Sequence, residues 1–546
     1  MDTRAKELVR ISDDGFSART SLVSWWQECA EQFYPMRADF MATNLVGRDF
    51  VGNLMDATPV LAARDLKNLI ASMLRPNGSD GSWLSMTIDR QDKLEKDLSA
   101  RRWLEWATGL QRRAMYDRVA QLRRASDETD GDYAVFGQGV LGCPINMKNL
   151  AFAFKNHHLR DTVWFENAEG LIDQIFVNLN LTVRQAEQLF PKKLAPQIYQ
   201  QDILTKDPNR KIAIRHCVVP SEFYAGAKKY NMPFVSIFVD VENQHVIQER
   251  GSWTKRYCIP RWQTVSGSQY AYAPSVVAAT PDARLIQAIS LTLLEAGEKS
   301  VNPPILYPEG VLRDDLQLMA GGATPYDPDY DVRTGQIVTQ VLGDRSNLQF
   351  GLALHERAKD NITKAFMLDK LSMAPLTKEM TAYEVSKHIE EFVRNAQPLF
   401  GPTEPEYNGQ LCEMVFDELL HAGAFGPPED IPQSLRGDEV KFVFESPFHR
   451  SVDRQNVELF MQGKQLLAEA VALDPSSAKI IDVRKMLRLA LTGSGIPSDC
   501  IYSDDEMAEM DAKDQQMQQA QQLLGVLGQG AEVAKNIGEA RQALQV

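Results

Sequence analysis

From Ser21 to Pro35 the chain reads SLVSWWQECAEQFYP. Leu22, Trp25, Trp26, Cys29 and Phe33 recur close to helical spacing, and Pro35 stops the run. The same rhythm returns in DATPVLAARDLKNLIASMLRPNG, where Leu66, Leu69, Ile70, Met73 and Leu74 form one apolar stripe. Thr58 is the expected N-cap there, Pro59 takes the first helical position, and Pro76, Asn77 and Gly78 end the helix. SWLSMTI after it reads as a strand, and a third helix is expected over roughly Glu95 to Ala125. From residue 130 to 260 the character changes. VWFE, LIDQIFVNLNL, KIAIRHCVV and FVSIFVDVENQHVIQERG are rich in β-branched and aromatic residues and predict strands, with LTVRQAEQLFP between them as a short helix capped by Thr182. The pattern predicts an α+β fold.

Helical signals sharpen at TPDARLIQAISLTLLEAGEKS, with Thr280 as expected cap, Pro281 at the first position and Asp282 near the positive end of the helix dipole. The run stops at Asn302, Pro303 and Pro304. A second helix of similar length follows at GLALHERAKDNITKAFMLDKL, Gly351 to Leu371. Between them lies a segment of turn and strand character, so the pattern predicts an antiparallel helix pair with a small domain at its far end. LSMAPLTKEMTAYEV comes next, and its TAYE is a capping box, Thr381 at the N-cap and Glu384 three residues on. The helix it starts runs into PLFGPTEPEYNGQLCEMVFDELLHAG as a broken continuation. Helical patterns resume at RQNVELFMQGKQLLAEAVALD, and the C-terminal stretch is rich in Gln, Ala and Met, with Gly525, Gly528, Gly530 and Gly538 weakening it.

The 546 residues exceed one ordinary core, and hydrophobic content of 44% with 24% charged residues is that of a globular protein. No apolar run reaches membrane-helix length, and MDTRAKELVRISDD lacks a signal-peptide core, so a reducing compartment is expected. Cys29, Cys143, Cys217, Cys258, Cys412 and Cys500 are scattered without a CxxC pair and read as buried free thiols. The histidines show no HxxxH or HExxH spacing, and the adjacent His157 and His158 would point to opposite faces of a strand. A formal net charge of −14 argues against a protein that grips nucleic acid, though not against one that lets it pass. There is no GxxxxGK[ST] or GxSxG, and DPDYD lacks the glycine and terminal glutamate of a calcium loop. No catalytic constellation, metal site or cofactor site is expected.

Four passages together resemble the head-to-tail connecting (portal) proteins of short-tailed bacteriophages. They are DATPVLAARDLKNLIASMLRPNGSDGSWLSM, LIDQIFVNLNLTVRQAEQLFP, TPDARLIQAISLTLLEAGEKSVNPPIL and MTAYEVSKHIEEF, in this order and spacing. The resemblance implies a ring, usually a dodecamer, at one capsid vertex of the virion, assembled in the host cytoplasm, with double-stranded DNA passing through without sequence specificity. Expected partners are other copies of the chain, the terminase large subunit, tail adaptors, and the major capsid and scaffolding proteins, with no membrane and no enzymatic activity. By the same resemblance, residues 1–279 and 382–450 form the wing and 280–300 and 351–371 the two stem helices. The clip is 301–350, the tunnel loop 372–381, the crown 451–505, and 506–546 a helical barrel or disordered tail.

Residue chemistry fits those roles. In the tunnel loop Met373 and Met380 are flexible and polarizable, Pro375 stiffens the backbone, and Leu376 lies between them. Lys378 offers a phosphate contact that Glu379 moderates, and many copies multiply a weak contact. In the clip Arg313, Asp314, Asp315, Asp327, Asp329, Asp331 and Arg333 are the expected docking residues for motor and tail. With Glu309, Asp344 and Arg345 the segment carries an acidic excess of four. On the first stem helix Leu285, Ile286, Ile289 and Leu293 make a stripe that Leu291 and Leu294 widen, which fits a helix wedged between ring neighbours and equally a core helix. The competing readings are a magnesium-dependent phage nuclease and another virion structural or adaptor protein. The first needs clustered carboxylates, and the second is usually much shorter.

Overall fold

The computed structural model of the chain describes residues 3–41, 49–52, 54–76, 83–88, 98–146, 151–224, 231–301, 305–306, 340–341, 348–368, 403–436 and 440–444, with isolated positions between 463 and 510. The chain divides into two compact units. One is Met1–Trp83 with Gln111–Phe425, the other Leu84–Leu110 with Gly426–Val546. In the second, the strand Leu84–Ile88 pairs antiparallel with Val440–Phe444, Leu84 opposite Phe444. The described residues form a mixed helix and sheet protein. None of its described helices is long and apolar enough to cross a membrane.

The larger unit is built on a five-stranded antiparallel sheet in which each strand pairs with its neighbour in sequence: β1 (Thr162–Glu166), β2 (Ile172–Thr182), β3 (Lys211–Pro220), β4 (Phe234–Asp240) and β5 (His245–Ser252). Alternation along these strands feeds two apolar layers. On one face Val163, Phe176, Cys217, Val235, Ile237 and Val239 pack against Ala5, Leu8 and Val9 of helix α1 (Thr3–Ala18). On the other, Ile212, Ile214 and Ile247 pack with Val183, Ala186, Phe190 and Ile198 from the short helices after β2. Gly15 lets α1 cross β1 closely, since a Cβ there would lie 2.7 Å from the Phe165 ring and 2.9 Å from Val163. Arg215 of β3 pins the helix, donating to Asp13 Oδ1 at 2.6 Å and to the Ser12 hydroxyl. Thr182 caps the helix after β2 through a complete capping box with Gln185.

Helix α2 (Thr20–Phe33) buries Trp26, Cys29, Ala30 and Phe33, and α3 (Thr58–Leu74) buries Ala62, Leu66, Ile70 and Leu74. Thr58 is not the cap of α3. It stands inside the first turn, and its N–H is met by the Asp56 carboxylate at 2.7 Å. The expected single helix over 95–125 is two, α4 (Leu98–Met115) and α5 (Leu122–Phe136), separated by a turn that ends at Gln121 in the left-handed region, φ 53°.

Helix α5 falls where the sequence pattern places the change to strands. It has no apolar stripe because its inward positions include acids. Asp130 takes both oxygens to Arg75, which also donates to Asn408 and lies 4.7 Å over the Tyr407 ring. Asp132 accepts from Arg37 at 2.6 and 2.8 Å and from the Asn156 amide at 2.8 Å.

Five of the cysteines, Cys29, Cys143, Cys217, Cys258 and Cys412, are buried and free, and burial raises the pKa of each thiol. Cys500 lies outside the described residues. His157 and His158 sit in a loop. Desolvation of the half-buried His157 lowers its pKa to about 3, and His158 Nε2 meets Asp39 Oδ1 at 2.6 Å.

Candidate functional site

Two long helices dominate the later part of the larger unit: α6 (Pro274–Val301) and α7 (Leu348–Ala365). At 1.5 Å per residue, the 28 residues of α6 span about 42 Å. The helices run antiparallel. Early α6 meets late α7, where the Asn361 amide donates to Asp282 Oδ1 at 3.2 Å. Late α6 meets early α7, where a Cβ on Gly351 would lie 2.8 Å from Leu293 Cδ2.

Helix α6 begins ahead of the expected Thr280 cap, and Pro281 lies in its interior. Proline removes one ladder hydrogen bond and disfavours helical backbone just before it. Here the turn is held from both sides. Val276, Ala279 and Ala283 are buried on one face, and the buried Thr280 hydroxyl donates to the Val276 carbonyl at 2.6 Å. The seam between the helices is made of small and β-branched residues, Ala283 and Ile286 on α6 with Ala358 and Ile362 on α7, all at most 1% exposed. The expected stripe therefore splits. Ile286 faces inward, whereas Leu285, Leu291 and Leu294 are 39%, 42% and 57% exposed in the single chain. Leu352 near the start of α7 is 54% exposed.

The hairpin is rooted on Asp56, just ahead of α3. Gln287 of α6 accepts from the N–H groups of Met55 and Asp56 at 2.7 and 2.9 Å and donates its amide to the Asp56 carbonyl at 2.8 Å. The Asp56 carboxylate meanwhile reaches α7. His355 Nε2 lies 3.0 Å from Oδ2, and the Lys359 ammonium 3.8 Å away. An ionised carboxylate only accepts, so His355 carries its proton on Nε2. One residue thus ties both long helices to the start of α3. Arg284 adds a contact to Glu28 of α2 at 2.6 Å, and Phe366, just past α7, is buried against Phe33 with ring centroids 5.6 Å apart.

Burial by itself would raise the Asp56 carboxyl, but the Thr58 hydrogen bonds, Lys359 and His355 outweigh it and hold the group below the usual value of 3.8. Folded protein therefore binds this proton less readily than the unfolded chain. The stabilisation is complete above about pH 4 and is lost as pH falls through the lower folded value. Asp56→Asn is expected to flatten the acid limb of a stability–pH profile below that point and to leave the neutral limb with a constant deficit. An acid limb of unchanged steepness in urea titrations between pH 2.5 and 7 would remove Asp56 as the root.

The expected tunnel-loop residues Met373, Leu376, Lys378, Glu379 and Met380 lie outside the described residues, as do the clip residues Arg313, Asp314, Asp315, Asp327, Asp329, Asp331 and Arg333. Their attachment points are described. Ile305–Leu306 pairs antiparallel with Gln340–Val341, bringing the two ends of the insert together. The segment after α7 departs from the buried Phe366, followed by Met367 at φ 55°. Sequence reasoning missed Asp56, Gln287, His355 and Lys359. The one local signal was an acid two residues ahead of a Thr-Pro helix start.

A family model described as bacteriophage head to tail connecting protein matches residues 12–502. The probable portal protein of Bordetella phage BPP-1 is 23% identical over 536 residues, covering 95% of this chain and 93% of that relative. The portal protein of Salmonella phage epsilon15 is 20% identical over 554 residues, covering 98% and 94%. Among solved structures, a chain from the virion of a native gene transfer agent particle superimposes with a TM-score of 0.33 at 10% identity, covering 82% of this chain and 95% of that one.

Proposed function

We propose that this chain, which belongs to the bacteriophage head to tail connecting protein family and is a viral portal protein, packs side by side with copies of itself into a ring through which the phage genome passes. The observation that carries the ring is the exposed leucine flank of α6. A two-helix hairpin that needed only its own seam would bury its apolar residues there. Leu285, Leu291 and Leu294 instead stand on the outside, with Leu352 on α7. A neighbouring copy that covers them removes apolar surface from water at every interface of a closed ring.

In this reading α6 and α7 are the stem, the insert they flank is the clip, and 372–381 is the tunnel loop. Residues 1–279 with 382–450 are the wing, 451–505 the crown, and 506–546 a barrel or tail. The ring is a dodecamer at the capsid vertex, built in the host cytoplasm. The clip, with its acidic excess, docks the terminase large subunit and then the tail adaptors, and capsid and scaffolding proteins hold the wing. The role is structural rather than catalytic, in keeping with full-length similarity to portal proteins. That similarity disfavours both a nuclease and a short adaptor.

The root explains how a loop can touch a moving duplex without wandering. Its point of departure from α7 is fixed by Phe366 on Phe33 and by the Asp56 clamp behind it. Lys378→Ala is expected to leave the ring assembled and to change DNA packaging or retention. Failure of assembly in that variant would make the loop a packing element instead. Sedimentation of the purified protein tests the ring itself. Monomers alone under assembly conditions, or end-on images without a central opening, would overturn the proposal.

A further inference from the structure

The chain as a whole is strongly acidic, yet one ordered stretch of the larger unit reverses the sign. Between Arg112 and Arg124 it carries Arg112, Arg113, Arg118, Arg123 and Arg124 against the single acid Asp117. All five bases are arginine. The structure brings them to one place. Arg112 and Arg113 lie in the last turn of α4, Arg118 in the connecting turn, and Arg123 and Arg124 in the first turn of α5. The turn is tightly closed. Val119 N–H donates to Asp117 Oδ1 at 2.8 Å, Ala120 N–H to the Asp117 carbonyl at 3.0 Å, and Ala125 N–H to the Gln121 carbonyl at 3.2 Å. Met115, Ala120 and Leu122 are buried beneath it, so the guanidinium groups ride on a fixed platform. Arg113, Arg118, Arg123 and Arg124 are exposed.

The placement on α5 is electrostatically adverse for the free protein. A helix N-terminus carries partial positive charge and favours acids in its first turn, and α5 has none there but two arginines. The acids that follow are engaged. Glu128 meets Arg124 at 3.1 Å, Asp127 meets Lys67 at 2.8 Å, and Asp130 and Asp132 are turned inward to Arg75 and Arg37. A tightly closed turn that carries five arginines to one acid on an acidic protein matches a polyanion with regularly spaced oxygens, which guanidinium forks contact in pairs.

We infer that the α4–α5 turn is a second DNA-contact surface, separate from the 372–381 loop, that takes the phosphate backbone of duplex DNA without reading its sequence. The inference rests on the portal reading for the presence of DNA and on the turn for the place. Phosphate contacts by arginine release condensed counterions, so each lost contact lowers the slope of log affinity against log salt by about 0.9.

The test is binding of a 30-base-pair duplex to the assembled full-length protein, by fluorescence anisotropy between 50 and 200 mM salt. R113Q/R118Q/R123Q/R124Q is expected to bind at least ten-fold more weakly per folded ring, with a shallower salt slope, even where loss of the Arg124–Glu128 pair lowers the melting temperature. A merely structural role would lower the melting temperature and leave affinity per folded ring alone. If the quadruple variant does not fold, R118Q/R124Q, both exposed, is measured in its place and is expected to weaken binding in proportion. Wild-type affinity and slope in the folded variants would overturn the inference. Equal displacement by polyglutamate and by DNA at matched charge would also overturn it, in favour of an acidic protein partner. Ring mass is recorded separately, so a failure of the portal reading shows as a missing ring whatever the duplex does.

Discussion

Replacing Leu291 and Leu294 together by aspartate is expected to leave a folded, soluble monomer and to abolish ring formation. Both side chains already stand largely in solvent in the single chain, at 42% and 57% exposure, so aspartate at either site costs the isolated hairpin little. At an interface the balance reverses. Completing the burial of each leucine contributes on the order of 1–2 kcal/mol, and an aspartate trapped there without a partner costs several more. A loss of roughly 4 kcal/mol per interface weakens association about a thousand-fold. Ring closure repeats that loss at every subunit boundary, because each copy presents the same flank. L291A/L294A should give a graded version, with larger rings dissociating on dilution. Sedimentation velocity and circular dichroism on the same samples separate assembly from folding. Full rings from the aspartate variant would remove the α6 flank from the interface. The seam residue Ile286 offers the contrast: it is buried within the subunit, and Ile286→Asp is expected to damage folding before assembly.

The parts of the fold that were legible in the sequence are those where one period dominates. The strands of the sheet alternate because each face packs on its own apolar layer, and they were recognisable as VWFE, LIDQIFVNLNL, KIAIRHCVV and FVSIFVDVENQHVIQERG. Helices α2 and α3 keep the centre of their stripes, Trp26, Cys29 and Phe33 on one and Leu66, Ile70 and Leu74 on the other, while Leu22, Trp25, Leu69 and Met73 are half-buried. The long helix α6 was legible as a helix, but its start was not. Thr280-Pro281 is a strong local start signal, and buried Val276, Ala279 and Ala283 override it from a distance. Helix α5 was hidden for a different reason. SDETDGDYAVF looks like a solvated turn because its acids are assumed to face water, whereas Asp130 and Asp132 are 1% exposed and answered by arginines remote in sequence. The hairpin root was hidden in the same way. Asp56 gains its role only when α6 and α7 return to it. Long-range polar pairing leaves no periodic trace.

That hidden pairing sets the second large effect. Arg75→Ala is expected to destabilise the larger unit by about 3–5 kcal/mol, because a buried carboxylate loses its only charge partner among the described residues. Arg75 and Asp130 are 7% and 1% exposed, and the network extends past them. Asn408 accepts from Arg75 and donates to the Leu74 carbonyl at 2.9 Å, so truncation unsettles α3's last turn together with the segment leading into Gln410–His421. Burial raises the pKa of the Tyr407 phenol, and the negative charge of Asp130 raises it further, whereas Arg75 lowers it. The double variant R75M/D130L distinguishes the cost of an orphaned charge from the worth of the pair. Replacing a buried ion pair by apolar residues of similar volume is often close to neutral, so the double variant should recover most of what R75A loses. Urea unfolding followed by tryptophan fluorescence measures both. A double variant as unstable as R75A would mean that Arg75 acts mainly through Asn408 and Leu74 rather than through the charge on Asp130. The hairpin contacts would in either case stay in place, since among the described residues Asp56, Gln287 and His355 share no hydrogen bond with this network. Ring assembly by whatever fraction of R75A remains folded should therefore match the wild type.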